Sequence, residues 1–157
     1  MQSRRTFLHL GAISVGLGLA GMAKAGPGTF PFQLSDAEWR RRLSPAAYAV
    51  LRRHATERPY SSPLDRENRR GVFRCAGCDQ PLFPSAAKFD SRTGWPSFHT
   101  PLRNALGMKV DSSLGFARKE VHCARCGGHL GHVFDDGPAP TGKRYCINGA
   151  ALRFRAT

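Results

Sequence analysis

The sequence lacks several features that would by themselves define a class of protein. It shows no internal repeat and no long run of basic residues. Its N-terminal apolar stretch, 10–22, is too short and too rich in glycine to be a good membrane span. The number of cysteines, five, is odd, so at least one thiol has no partner within the chain.

Residues 1–25 have the pattern of an export signal rather than of a folded element. Arg4 and Arg5 precede Thr-Phe-Leu, and the apolar stretch ends on Ala23-Lys24-Ala25, a small-x-small cleavage pattern. The arginine pair resembles the twin-arginine signal of bacteria. We expect export to the periplasm by that pathway and no stable membrane association after cleavage. An ordinary signal peptide or an uncleaved anchor is the alternative.

Acidic residues are scarce. The chain has 11 Asp and Glu against 24 Lys and Arg, a formal net charge of +13. The signal carries three of these charges and no acid, which leaves +10 on the remainder. Such a charge could suit nucleic acid, but the basic residues are scattered, with a modest cluster at 40–42. We therefore expect a soluble basic periplasmic protein that does not bind nucleic acid.

Four of the cysteines form two C-x-x-C pairs, Cys75 with Cys78 and Cys123 with Cys126. A two-residue spacer lets a tight turn point both sulfurs at one ion, and two such turns supply the four thiolates of a tetrahedral zinc site. The matched spacing favours one structural zinc ion per chain. Disulfide bonds within or between the pairs are the alternative.

The rest of the chain predicts one mainly β domain. We assign 26–34 to a linker and 35–157 to the domain. Ser35 and Glu38 form a capping box that starts a helix through about Leu43, and Ser44-Pro45 starts a second helix. Short apolar or alternating runs then predict antiparallel strands, at 71–75, 82–83, 98–101, 109–111, 116–123, 132–134, 145–148 and 152–154.

Cys146 is the cysteine that zinc would leave free. On a strand, Arg144, Cys146 and Asn148 would share one face. A nearby cation favours the thiolate, which is the nucleophilic form. A buried structural cysteine is the alternative.

Two further motifs could belong to a site with Cys146. His129 and His132 could bind metal, serve as a general acid or be polar groups near a turn. The rigid Trp95-Pro96 pair could form one wall of a small apolar pocket, although a core tryptophan is the alternative.

Together these motifs resemble the methionine sulfoxide reductase B family. The matching pieces occur in family order from about residue 35 to the end: Cys75-x-x-Cys78, 88–91, 94–98, Cys123-x-x-Cys126, 129–138 and 144–148. The resemblance implies two antiparallel sheets with short N-terminal helices and a zinc site remote from the active site. It also implies reduction of the R epimer of methionine sulfoxide in peptides and proteins. We expect the protein to be a monomer.

The resemblance also assigns roles to individual residues. Cys146 is expected to attack the sulfoxide sulfur and to finish as a sulfenic acid. His129, His132 and Asn148 match positions of the active site. Trp95, Phe134 and Arg144 are expected to contact substrate, with Trp95 packed on its methyl group.

Two positions depart from the family pattern. Thr93 stands where many members have a resolving cysteine, so an external thiol, from a thioredoxin-like protein or a small molecule, would have to reduce the sulfenic acid. Gly149 replaces the usual serine, which we interpret as a modest change at the pocket edge. Alternatives outside this family are a zinc ribbon that binds nucleic acid and a dithiol oxidoreductase that uses a C-x-x-C pair.

Overall fold

The structure is a computed structural model that describes residues 30–157. The predicted export signal, 1–25, lies outside the described residues, as does the first part of the predicted linker. The described chain forms two short helices followed by nine strands in two antiparallel sheets. None of its helices is long and apolar enough to cross a membrane.

Both predicted helices are confirmed. Helix α1 spans Asp36–Arg42, and the Ser35 and Glu38 capping box is complete because each side chain bonds to the other's backbone N–H. Helix α2 spans Pro45–Arg53, with Ser44 as its N-cap and Pro45 in its first turn. Its C-cap is His54, whose φ of 57° lies in the left-handed region. This turn sends the chain along the edge of the site described below.

The smaller sheet has three strands in the order β2-β1-β9. They are β1 (Gly71–Cys75), β2 (Pro81–Pro84) and β9 (Leu152–Ala156). Strand β1 pairs antiparallel with both neighbours. The last strand of the domain therefore lies beside the first.

The larger sheet has six strands in the order β3-β4-β8-β7-β6-β5. They are β3 (Lys88–Phe89), β4 (Ser97–Phe98), β5 (Leu106–Asp111), β6 (Arg118–Cys123), β7 (His129–Phe134) and β8 (Arg144–Ile147). All of its pairs are antiparallel. The prediction of two antiparallel sheets is confirmed.

Most strand bounds differ from the predicted ones by one to three residues, and one strand was not predicted. The run predicted at 98–101 is extended in the sheet only at Ser97–Phe98, and Pro101 has no N–H with which to continue the ladder. Strand β3 was not predicted, because two residues carry no period that a sequence pattern can reveal.

A cluster of phenylalanines joins the two sheets. Phe73 of β1, Phe83 of β2 and Phe98 of β4 are fully buried. Phe83 stacks on Phe98 at 4.2 Å between ring centroids, and Phe73 meets Phe98 edge-on at 4.9 Å. Burying each side chain contributes about 2 kcal/mol. This cluster fixes β4, and with it the loop that carries Trp95.

The described end of the predicted linker is packed against the domain. The Phe32 N–H donates to the Arg125 carbonyl at 2.9 Å. The Phe30 ring lies where a Cβ on Gly127 would be only 2.2 Å from it, and Gly127 has a φ of 68°. Residues 30–34 thus cover the turn that follows β6.

Candidate active site and metal centre

The four paired cysteines meet in one buried cluster. Cys75 and Cys123 end strands β1 and β6, and Cys78 and Cys126 lie in the turns that follow. The Sγ atoms of Cys75 and Cys126 are 3.7 Å apart and those of Cys78 and Cys123 are 3.5 Å apart. A tetrahedral zinc ion with sulfur ligands at about 2.3 Å requires sulfur separations of about 3.8 Å. A disulfide requires about 2.05 Å, so the spacing fits a metal centre and not two disulfides.

The two cysteine turns share one design. The Asp79 N–H donates to the Cys75 carbonyl, and the Gly127 N–H donates to the Cys123 carbonyl, both at 2.9 Å. Both turns place a residue at positive φ, 62° at Asp79 and 68° at Gly127. Each turn thereby points two sulfurs the same way.

Arginines surround this cluster. Arg125 donates to the Cys78 carbonyl at 2.8 Å, Arg52 to the Cys126 carbonyl at 3.2 Å and Arg42 to the Gly77 carbonyl at 2.6 Å. Four thiolates and one divalent ion carry a net charge of −2. The guanidinium groups would offset that charge if such an ion were bound, and they hold the turns on α1 and α2.

A small cavity of about 150 Å³ lies at the other end of β6. Its lining is formed by Thr56, Trp95, Arg118, Gly131, His132, Phe134, Cys146 and Asn148. Arg118 begins β6 and Cys123 ends it. Five residues of strand separate the two by roughly 17 Å. The metal centre is therefore too far away to take part directly in chemistry at the cavity.

Cys146 and His132 face each other across two strands. They are register partners in the pair of β7 with β8, which brings their side chains close on one face. Gly131 permits this approach, because a Cβ there would lie 2.0 Å from the Cys146 carbonyl oxygen. The cavity thus combines a thiol, an imidazole and two aromatic rings.

The environment of Cys146 raises the pKa of its thiol. Burial is the largest cause, while the Arg144 guanidinium and the Thr93 hydroxyl act in the opposite direction. The sequence argument considered only the cation, which does lower the pKa of the thiol, and missed the larger and opposite effect of burial. Desolvation of the thiolate outweighs the attraction of Arg144.

Arg144 does not line the cavity but holds one of its walls. It forms two hydrogen bonds to Asp136, at 2.8 and 2.7 Å. Its guanidinium lies 4.4 Å above the centre of the Phe134 ring. The cation therefore fixes Phe134 and contributes positive potential at Cys146.

His132 is oriented by a carboxylate that sequence reasoning did not identify. Its Nε2 donates to Asp111 Oδ2 at 2.7 Å, and Arg118 donates to the same oxygen at 2.6 Å. Hydrogen bonds from Ser113, His132 and Arg118 hold the pKa of Asp111 well below its usual range. Because Asp111 engages Nε2, Nδ1 is the His132 nitrogen available to a substrate.

His129 lies behind His132 rather than in the cavity wall. Its ring centroid is 5.5 Å from that of His132, and its Nδ1 is 3.0 Å from Glu120 Oε1. Burial lowers the pKa of His129, which favours a neutral ring. His54 and Lys109 also contact Glu120, at 3.4 and 3.2 Å. His129 would therefore act on a substrate only indirectly, through His132, or contact it from the neighbouring cavity that both histidines line.

Asn148 is held by both ends of its amide. Its Nδ2 donates to the Leu130 carbonyl at 2.9 Å, and its Oδ1 accepts from the Glu57 N–H at 3.0 Å. It is almost fully buried, at 4% exposure. This side chain ties β7 to the segment that follows α2, so its amide already has partners before any substrate binds.

Glu57 connects the walls of the cavity and was missed in the sequence. Its carbonyl accepts from Trp95 Nε1 at 3.1 Å. Its carboxylate accepts the N–H groups of Gly149 and Ala150, at 2.5 and 2.8 Å. One residue thus positions the tryptophan, the asparagine and the turn after Cys146. Thr56-Glu57 falls in a stretch between α2 and β1 that has no period, so no local signal could have identified it.

Gly149 lies away from the cavity edge where the sequence interpretation placed it. It is absent from the lining of the cavity, and a Cβ there would meet Ser62 Oγ at 2.0 Å. Glycine at this position allows the loop with Ser62 to close on the turn after Cys146. The departure from the family pattern therefore affects a contact between loops.

Thr93 lies close to Cys146, because Ser97 is the register partner of Cys146 across β4 and β8 and a serine links Ser97 to Thr93. The Thr93 hydroxyl also lowers the pKa of the Cys146 thiol. Ser91 bonds both to Thr93, at 2.8 Å, and to Ser97, at 2.7 Å. A chain of three hydroxyls therefore leads to the sulfur. A cysteine at position 93 would lie beside Cys146.

Comparison with known proteins gives a consistent match. The SelR domain matches residues 43–156. The chain is 53% identical over 121 residues to the peptide methionine sulfoxide reductase MsrB of Agrobacterium fabrum, which covers 76% of this chain and 90% of that protein. It is 57% identical over 120 residues to MsrB of Bradyrhizobium diazoefficiens, covering 76% and 86%. MsrB of Methanosarcina barkeri is 52% identical over 122 residues, covering 77% and 86%.

Proposed function

The chain belongs to the SelR-domain family of MsrB-type peptide methionine sulfoxide reductases and reduces methionine sulfoxide in peptides and proteins, and we propose that Cys146 is its nucleophile. The observation that carries this assignment is the cavity itself. It places a half-buried thiol beside the His132 imidazole and between two aromatic rings. Neither alternative function, a zinc ribbon that binds nucleic acid or a dithiol oxidoreductase that uses a C-x-x-C pair, would require such a cavity.

The proposed reaction begins when the substrate methyl packs on Trp95 and Phe134. Cys146 Sγ gives its proton to His132 Nδ1, which carries no hydrogen while Nε2 donates to Asp111, and the thiolate attacks the sulfoxide sulfur. His132 then passes this proton to the sulfoxide oxygen, and the S–O bond of the methionine breaks as the resulting hydroxyl moves to the Cys146 sulfur. Overall the oxygen moves to Cys146, which becomes a sulfenic acid and is oxidised by two electrons. The methionine sulfur is reduced by the same two electrons and leaves as the thioether.

An external thiol completes the proposed cycle. Two thiol groups from the reductant convert the sulfenic acid to the Cys146 thiol, a disulfide of the reductant and one water molecule. Thr93 provides no sulfur for an internal disulfide, and the other four cysteines are gathered at the metal centre. A thioredoxin-like protein or a small thiol would serve.

We also propose that the four-cysteine cluster holds one structural zinc ion. The sulfur spacing, the full burial of the cluster and the surrounding arginines support zinc. When bound, the ion would cross-link the turns after β1 and β6. The monomeric state and the absence of nucleic-acid binding stay predictions.

Export by the twin-arginine pathway is a further proposal, supported by the pattern in residues 1–25 alone. That pathway is understood to move folded proteins, so zinc could bind in the reducing cytosol before export. Blocking the pathway in a bacterial host should leave the full chain in the cytosol. Periplasmic protein in the blocked strain would contradict the proposal.

One assay tests the proposed function. Peptides with R or S methionine sulfoxide are incubated with dithiothreitol and either wild-type protein or Cys146→Ser. We expect turnover of the R epimer by wild type only. A sulfenic acid probe followed by mass spectrometry should label residue 146 after one turnover without reductant. Equal turnover by the serine variant would refute the catalytic assignment, and equal turnover of both epimers would refute the stereochemical one.

A further inference from the structure

A larger groove adjoins the sulfoxide cavity. It has a volume of about 680 Å³ and lies between α2, the loop after it and the turn after Cys146. Its floor includes the buried Val50 and Leu152. Ala46, Ala49 and Leu64 also line it. Polar groups, among them Arg58 and Ser61, lie at its rim. Apolar grooves of this kind suit short apolar segments of a partner chain.

The sulfoxide cavity is too small to take more than one side chain. Its volume of about 150 Å³ matches the end of one methionine sulfoxide. The main chain of a substrate polypeptide and its neighbouring residues must therefore lie outside. An extended chain advances about 3.4 Å per residue, so the residues next to the sulfoxide come to rest close to the mouth of the cavity.

The groove begins where the cavity ends. Thr56 is exposed and lines both. Glu57, the next residue, lines the groove. Its backbone binds Asn148 and Trp95 of the cavity. The segment 55–58 is thus a thin partition between the two. A chain whose sulfoxide enters the cavity crosses Thr56 and meets the groove within a few residues.

We propose that this groove binds the residues flanking methionine sulfoxide in an oxidised polypeptide and favours apolar neighbours. The inference rests on the proposed function, since it assigns the rest of the substrate to a surface beside the sulfoxide cavity. Small substrates do not reach the groove. Peptide substrates gain affinity from it without any change in the chemical step.

Filling the groove tests this proposal. Ala46 is exposed in the first turn of α2 and lines the groove, so Ala46→Trp obstructs it. Ala37→Trp, on exposed α1 and outside the lining, is the matched control. Both are assayed with N-acetylmethionine R-sulfoxide and with two peptides that place either leucines or serines beside the sulfoxide.

We expect Ala46→Trp to raise KM for the leucine peptide about tenfold, equivalent to about 1.4 kcal/mol, with kcat unchanged. KM for N-acetylmethionine sulfoxide should stay the same in all variants, and the serine peptide should lose little. Equal kinetics of wild type and Ala46→Trp on the leucine peptide would overturn the groove proposal. The proposal would also be overturned if Ala46→Trp lost the same activity on all three substrates, or if it changed only the oligomeric state. Absence of turnover of even the small substrate by wild type would instead refute the proposed function.

Discussion

Glu57 offers the sharpest test of how this site is held together. Replacing it with glutamine keeps the size of the side chain but removes one of two acceptor oxygens. In the structure each oxygen accepts one backbone N–H, from Gly149 and from Ala150. An amide can accept only one of these and turns its NH2 toward the other donor. The variant therefore leaves one N–H of the turn after Cys146 without a partner.

The expected cost follows from these bonds. An unsatisfied backbone N–H in a part-buried site costs about 2 kcal/mol in the free energy of unfolding. For a domain of this size that corresponds to a fall in Tm of roughly 6 °C. Glu57→Ala loses both bonds, and we expect roughly twice the fall. The backbone bonds of Glu57 to Asn148 and Trp95 would loosen as the segment shifts, so kcat should fall by about tenfold to a hundredfold.

Thermal unfolding followed by circular dichroism, together with kcat on a sulfoxide peptide, measures both effects. Asp135→Asn is the control, since it exchanges a carboxylate for an amide in a surface ion pair with Lys143. That variant should match wild type in Tm and kcat. If Glu57→Gln also matched wild type, the idea that Glu57 joins the walls of the cavity would be refuted.

Three further predictions concern the thiol and the metal. Arg144→Gln removes a cation that lowers the pKa of Cys146, so burial should raise that pKa further. The pH dependence of the rate, and that of alkylation of Cys146, should both shift to higher pH. An unchanged or acid-shifted alkylation profile of Cys146 would contradict this. Thr93→Cys should yield an internal disulfide with Cys146 after one turnover, about 2 Da lighter by mass spectrometry, and failure to form it would mean that the two side chains do not meet. Chelation, or Cys78→Ser, should remove about one zinc per chain and lower Tm by more than 10 °C; a metal-free protein with wild-type Tm would argue against a structural ion.

Local patterns predicted much of the scaffold. The capping box at Ser35 and the Ser44-Pro45 start both depend on residues close in sequence, and both helices begin where expected. The C-x-x-C pairs carry their own turn geometry, so their meeting in one cluster could be anticipated from spacing. The alternation predicted over 144–148 put Arg144, Cys146 and Asn148 on the same side, and Cys146 and Asn148 line the cavity whereas Arg144 does not.

The partners of the site residues could not be predicted in this way. Asp111, Arg118 and Glu120 lie on a hairpin that no catalytic pattern marked. Asp111 contacts His132, Glu120 contacts His129 and Arg118 binds Asp111. The net rise in the pKa of Cys146 was also missed, because burial is a property of the packed domain. Desolvation depends on what covers a side chain, and the covering residues come from several elements.

Local sequence patterns were enough to predict which atoms could react: one sulfur left over from two paired turns, with histidines and a rigid tryptophan in family order. It also determined the helix starts and the strand periodicity, since these depend on neighbours a few residues apart. Packing of the domain was needed to show that His132 rather than His129 reaches the cavity, that Glu57 joins its walls and that burial raises the pKa of the Cys146 thiol. Those outcomes depend on contacts between segments up to about ninety residues apart, which form only when the two sheets and α2 pack together.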